Sequence, residues 1–188
     1  MTPEQAAERA AELLPTARTS VLFGRATVEV AREEWAAAAA ALRDDARLAA
    51  SCFDLLTAVD HRDEGFEVVL HLWSLAARTS VLLSTRCPRD DAWVPSLADV
   101  FAGADWHERE TAEMFGLAFE GHPGLAPLLL PPGFVGTPLR KDFVLASRVA
   151  KPWPGLEDAG ETQPARGRRR VQPPGVPRPG TWTTGDPA

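Results

Sequence analysis

Apolar positions recur at two different periods along the first two-thirds of this chain. Within REEWAAAAAALRDDARL, Trp35, Ala38, Ala39 and Leu42 fall at the three-to-four-residue interval of a helix face, which predicts a packing helix. Small side chains let such a helix lie close to a sheet, which accounts for the alanine run. Ser20–Ala31 instead alternates Val28 and Val30 around Glu29, with Gly24 at a turn or bulge, and reads as one or two strands. CFDLLTAVD has the length and apolar content of a buried strand, with Asp54 and Asp60 toward its ends. FEVVLHLWSL and TSVLLST are separated by Ala76, Ala77 and Arg78, a spacing that predicts an antiparallel hairpin at the centre of the sheet.

Cap residues set the helix boundaries. Thr2, Pro3 and Gln5 stand in the order of a capping box with proline at the first helical position, so a short helix is expected up to about Pro15. Ser96 with Asp99 at its third position predicts another, closed by a left-handed Gly103. Asp105 with Glu108 at its third position predicts a further helix over DWHERETAEMFG, stopped by Gly116. From Gly121 onward the prolines and glycines are too dense for a regular helix, and an ordered surface loop is expected.

Beyond Lys151 the composition changes. Residues 151–188 carry eight prolines, few aliphatics and the cluster Arg166, Arg168, Arg169 and Arg170, the make-up of an extended or disordered segment. The expected fold class is α+β. A mixed or antiparallel sheet packed by helices occupies residues 1–150, and an extended Pro- and Arg-rich tail occupies 151–188. No internal repeat and no phosphate-binding glycine motif is found.

Charge and cysteine content narrow the function. Up to residue 150 there are 14 Lys and Arg against 22 Asp and Glu, so the body lacks the cationic surface that phosphate neutralisation needs, and nucleic acid is not the expected partner. Cys52 and Cys87 alone cannot supply the four thiolates of an iron–sulfur cluster, and both read as structural. The N-terminus has acidic residues and no long apolar core, unlike a targeting peptide. No run of about 18 apolar residues spans hydrocarbon, so membrane association is expected only through partners.

Chemistry-bearing residues concentrate between His107 and Phe143. His107, Glu108, Glu110, Glu113 and His122 are capable metal ligands, but a zincin needs a second histidine one turn after the first, where Thr111 stands. Acid–base catalysis by Glu108 and Glu110, as in a free-standing hydrolase, lacks a nearby nucleophile, and neighbouring Arg109 with surface exposure would keep both ionised. Read from the residues alone, the segment is a charged surface helix with Arg109 reaching Glu113 across one turn.

DWHERETAEMFGLAFEGHP followed by PLRKDF resembles the signature of the 30 kDa (C-type) subunit family of proton-pumping NADH-quinone oxidoreductase, respiratory complex I. Related membrane hydrogenases and deazaflavin- or ferredoxin-dependent quinone-reducing complexes share it. The matching positions are Asp105, Trp106, Glu108, Arg109, Glu110, Met114, Phe115, Gly116, Phe119, Gly121, His122 and Pro123, then Pro138, Leu139, Arg140, Lys141 and Asp142. Weaker resemblance covers residues 20–145. Ala126 and Pro127 stand where the family usually has a basic pair, Glu113 where it often has aspartate, and no tyrosine accompanies His71, which reads as a hydrogen-bonded core histidine.

The resemblance implies an adaptor in the hydrophilic arm with no catalytic centre and no cofactor of its own. Iron–sulfur clusters, flavin and quinone would belong to partner subunits. It would dock on the terminal-cluster (B-like) and quinone-site (D-like) subunits, peripherally at the cytoplasmic face of the cell membrane. Trp106 and Phe115 are expected as interface anchors, with Glu108, Arg109, Glu110, Glu113, Gly116, Gly121, His122, Pro123, Arg140, Lys141 and Asp142 completing the contact.

Overall fold

The computed structural model describes residues 1–144. The tail expected over 151–188, and the domain boundary at 150, lie outside the described residues. Helix α1 (Pro3–Leu13) is followed by β1 (Arg18–Leu22), β2 (Arg25–Val30), α2 (Trp35–Asp44), β3 (Cys52–Asp60), β4 (Phe66–Ser74) and β5 (Thr79–Cys87). Short β6 (Trp93–Pro95), α3 (Ala104–Phe115) and β7 (Ala118–Glu120) complete the order.

The main sheet runs β1-β2-β5-β4-β3. Its neighbours pair antiparallel except β2 and β5, which are parallel. The chain must therefore cross from β2 past α2 and the β3–β4 hairpin before β5 can insert beside it, which makes the sheet mixed. The expected hairpin of β4 and β5 does lie inside the sheet, and the fold is α+β.

Period-two burial on the strands meets period-3.6 burial on the helices. Ala26, Val28 and Val30 of β2, Leu70 and Leu72 of β4, and Val81 and Leu83 of β5 are buried together with Trp35, Ala38, Ala39 and Leu42 of α2. Ala6, Ala7 and Ala10 give α1 a small-residue face in the same core. The Thr2 capping box forms, with Gln5 N–H donating to Thr2 Oγ1 and Thr2 N–H to Gln5 Oε1. Asp45, just past α2, accepts Arg9 at 2.5 Å and the Leu48 N–H at 2.7 Å, tying α1 to the chain entering β3.

Two expectations are corrected. β3 is not buried on both faces: it is the sheet edge, paired with β4 alone among the described residues, and Leu55 and Val59 are exposed on one face while Leu56 and Ala58 face the core on the other. No helix forms over Ser96–Gly103; Leu97 O accepts both Val100 N–H and Phe101 N–H in a single turn. Gly103 has φ −69° rather than a left-handed value. The Ser96 oxygen accepts the Ala98 N–H at 3.1 Å as a cap would, and its hydroxyl also donates to Glu108, but the turn that follows ends at Phe101.

Candidate functional site

Helix α3 follows Gly103 without a side-chain cap, and Asp105 lies inside its first turn rather than capping it. Asp105 Oδ1 instead meets His122 Nε2 at 3.1 Å. Gly116 closes the helix at φ +75°, a left-handed conformation that a side chain resists. A Cβ there would also press within 3.2 Å of the Thr137 methyl.

The phase of α3 decides which signature residues face outward. Ala104, Glu108, Thr111 and Phe115 form one buried stripe, spaced as one side of a helix. Phe115 meets Phe66 edge-on at 6.3 Å between ring centroids, so it is a core residue and not the interface anchor expected of it. Glu108, expected as an exposed partner charge, is fully buried. Its Oε1 accepts Leu97 N–H and its Oε2 the Ser96 hydroxyl, each at 2.6 Å. Burial pushes its carboxyl above the usual range, against the lowering effect of these bonds.

The opposite face carries Trp106, Arg109, Glu110 and Glu113, three and four residues apart. Arg109 does not reach Glu113 as an ion pair; it donates to the carbonyls of Ala126 (3.0 Å) and Pro127 (3.3 Å). Glu113 accepts backbone N–H groups of Leu128, Leu129 and Leu130 at 2.8–3.1 Å. Burial pushes the Glu113 carboxyl up, but these donors and the Arg109 charge outweigh it and leave it lowered. One cation and one anion thus hold five consecutive loop residues against α3, binding main chain where the family's basic pair would stand.

His122, whose ring is fully buried, bridges the same loop to the helix start. Its Nδ1 accepts Gly124 N–H at 2.9 Å, leaving Nε2–H to face Asp105. Gly121 turns at φ +85° just before it, and Pro123 follows on the surface. His107 packs edge-on against Phe53 and lies 3.2 Å from Leu56 O, so α3 runs along the outer edge of β3.

The PLRKDF segment is fastened from the other side. Asp60 is buried at the end of β3 and accepts Lys141 N–H (2.8 Å) and Arg62 N–H (2.6 Å) and pairs with Arg89. Arg89 and Arg140 both reach Asp142, and their guanidinium carbons sit 4.9 and 5.3 Å from the Phe66 ring centre. Ser96, Asp60 and Arg89 join this site without having been expected in it. An acid closing an apolar run, as Asp60 does, is the one signal in the sequence that points to them. The candidate ligands His107, Glu108, Glu113 and His122 direct their polar atoms to different partners: Leu56, the Ser96–Leu97 turn, the Leu128–Leu130 backbone, and Gly124 with Asp105.

What remains outward is Trp106, 64% exposed, exposed Glu110, and the loop side chains Leu125 and Leu129. Trp106 and Glu110 lie one turn apart, and the Leu129 backbone is held to the same helix by Glu113. His71 is buried with Nδ1 2.6 Å from Asp54 at a bulge in β3, but it lies on the sheet face opposite core residues Leu70 and Leu72, edge-on to Trp73.

A family model described as "Respiratory-chain NADH dehydrogenase, 30 Kd subunit" matches residues 28–149. The C-type subunit of NADH-quinone oxidoreductase from Herpetosiphon aurantiacus is 40% identical over 140 residues, 73% of this chain and 82% of that one. The subunit of the same name from Acidithiobacillus ferrooxidans is 38% identical over 179 residues, covering 89% and 87%. Among solved structures, a chain of an archaeal membrane-bound sulfane sulfur reductase, a respiratory membrane complex, is similar at TM-score 0.64 and 27% identity over 88% of this chain and 98% of that one. The trypsin-resistant fragment of Nqo5 shares the fold at TM-score 0.50 and 23% identity, covering 64% and 97%.

Proposed function

Because the chain belongs to the family of the 30 kDa subunit of respiratory-chain NADH dehydrogenase, we propose that it is a non-catalytic adaptor in the hydrophilic arm of a proton-translocating NADH-quinone oxidoreductase. In this reading it carries no cofactor and docks on the terminal-cluster and quinone-site subunits, which hold the iron–sulfur cluster and quinone. Flavin chemistry sits further upstream in the same assembly. The chain is peripheral, at the cytoplasmic face of the membrane, and no helix among the described residues is long and apolar enough to cross one.

The observation that carries the docking role is the division of labour in α3. Arg109, Glu113 and His122 are spent on holding the 122–130 loop to the helix, while Trp106 is left largely exposed one turn from Glu110, which has no ion pair among the described residues. A surface tryptophan on a rigid helix, next to a fastened loop presenting Leu125 and Leu129, has the make-up of an interface centre. The same geometry suits an equivalent member of another membrane complex, which the similarity to the sulfane sulfur reductase chain keeps as a second reading.

Trp106→Ala tests the docking role. The isolated chain is expected to keep its melting temperature within about 2 °C, because an exposed side chain contributes little to folding. Its recovery with the cluster-bearing and quinone-site subunits is expected to fall by about tenfold or more. Unchanged recovery would remove this face from the interface.

A further inference from the structure

The edge of the sheet farthest from α3 carries a second exposed aromatic. Phe23 sits at the tip of the β1–β2 hairpin and is 104% exposed, and Leu22 beside it is 53% exposed. Leu22 pairs directly with Arg25, so Phe23 and Gly24 form a two-residue loop. Their φ values are +51° and +72°, the double left-handed signature of a type I′ turn.

Asn, Asp or Gly is the usual first residue of that turn, because a larger side chain resists positive φ. Phenylalanine therefore occupies a position its backbone disfavours and gains no burial within the described fold. The surroundings differ in charge from the acidic body. Arg18 and Arg25 lie on the same face of the hairpin as Leu22; Glu29, opposite Arg18, shares that face but lies 3.9 Å from Arg86, so the hairpin face stays net cationic. The tip also lies upstream of the residues matched by the family model.

We propose that the β1–β2 hairpin is a second docking element, in which Phe23 and Leu22 insert into an apolar pocket with an acidic rim on a neighbouring protein subunit, met by Arg18 and Arg25. This rests on the adaptor reading and extends it. Four inter-strand steps separate β1 from β3, roughly 19 Å, so the hairpin and the Trp106 face grip different regions. The chain then bridges two surfaces rather than capping one. A lipid surface fits less well, because the acidic body would be repelled by anionic headgroups.

Phe23→Asn in the full chain is the test, with Phe23→Gly as a second variant, since both residues suit the turn. Each is expected to match or raise the melting temperature of the isolated chain. Each should nonetheless lower its recovery in gently solubilised respiratory complex by about tenfold. Lowered recovery without a lowered melting temperature separates a docking residue from a folding one.

Wild-type recovery by both variants, with the wild-type chain present in the complex, would overturn the hairpin proposal and leave the adaptor reading standing. Absence of the wild-type chain from any such complex would overturn both. Phe23-dependent flotation of the isolated chain with vesicles of about 30% phosphatidylserine would overturn the protein-pocket assignment in favour of a membrane contact.

Discussion

Asp60, the last residue of β3, accepts a hydrogen bond from the backbone N–H of Lys141, eighty-one residues later, at 2.8 Å. That bond, together with Arg89 reaching both Asp60 and Asp142, makes the PLRKDF segment part of the sheet domain. Asp60→Ala removes the acceptor and leaves Arg89 facing a hole. The variant should lose about 3 kcal/mol in denaturant unfolding, with hydrogen-exchange protection lost at the Lys141 and Phe143 amides. A loss under about 1 kcal/mol, with the segment still protected, would show that the knot does not hold it.

Glu113 controls the neighbouring segment. Its carboxyl is below the usual range in the folded chain, so its contribution is present above the unfolded value and is lost as pH falls through the folded one. Amide protection at Leu128, Leu129 and Leu130 should hold at neutral pH and disappear first on acidification. Glu113→Ala should abolish that protection at every pH, at a cost of about 1–2 kcal/mol. Equal exchange in variant and wild type would contradict this role.

Glu108 has the opposite sign. Burial raises its folded value, so the folded state holds a proton the unfolded state has released, and this component of stability falls as pH rises from the unfolded value toward the folded one. Glu108→Gln keeps an acceptor for Leu97 N–H and offers a donor to Ser96. It should be at least as stable as wild type at neutral pH, with a flatter pH dependence across that window. Glu108→Ala should instead lose about 1–3 kcal/mol by orphaning the Leu97 N–H. A steeper pH profile for the glutamine variant would contradict the assignment.

The periodic elements were legible because their signal is local. The spacing of Trp35, Ala38, Ala39 and Leu42 and the alternation around Glu29 reappear as burial. The errors arose where a side chain serves a distant partner. Ser96 reads as a helix cap because its residue type and the aspartate at its third position fit, and its oxygen does accept the Ala98 N–H, but its hydroxyl also donates to Glu108, twelve residues away. Glu108 reads as a surface charge by composition, although its four- and seven-residue spacing to Ala104 and Phe115 already placed it on the buried stripe.

The signature motif was readable as a string but not as a division of labour. Arg109 binds the carbonyls of Ala126 and Pro127, and no sequence pattern announces a main-chain partner. Likewise the sequence of β3 marks it as a strand but not as an edge, because edge and centre differ in what lies alongside. Pairing with β4 alone among the described residues marks β3 as the edge.

The most direct test of the adaptor reading is to isolate the tagged chain from gently solubilised membranes, identify its partners, and assay metal and flavin on the chain alone. The account predicts the terminal-cluster and quinone-site subunits in equal stoichiometry with it, and neither metal nor flavin on the separated chain. A chain recovered by itself, carrying metal or flavin, would contradict it.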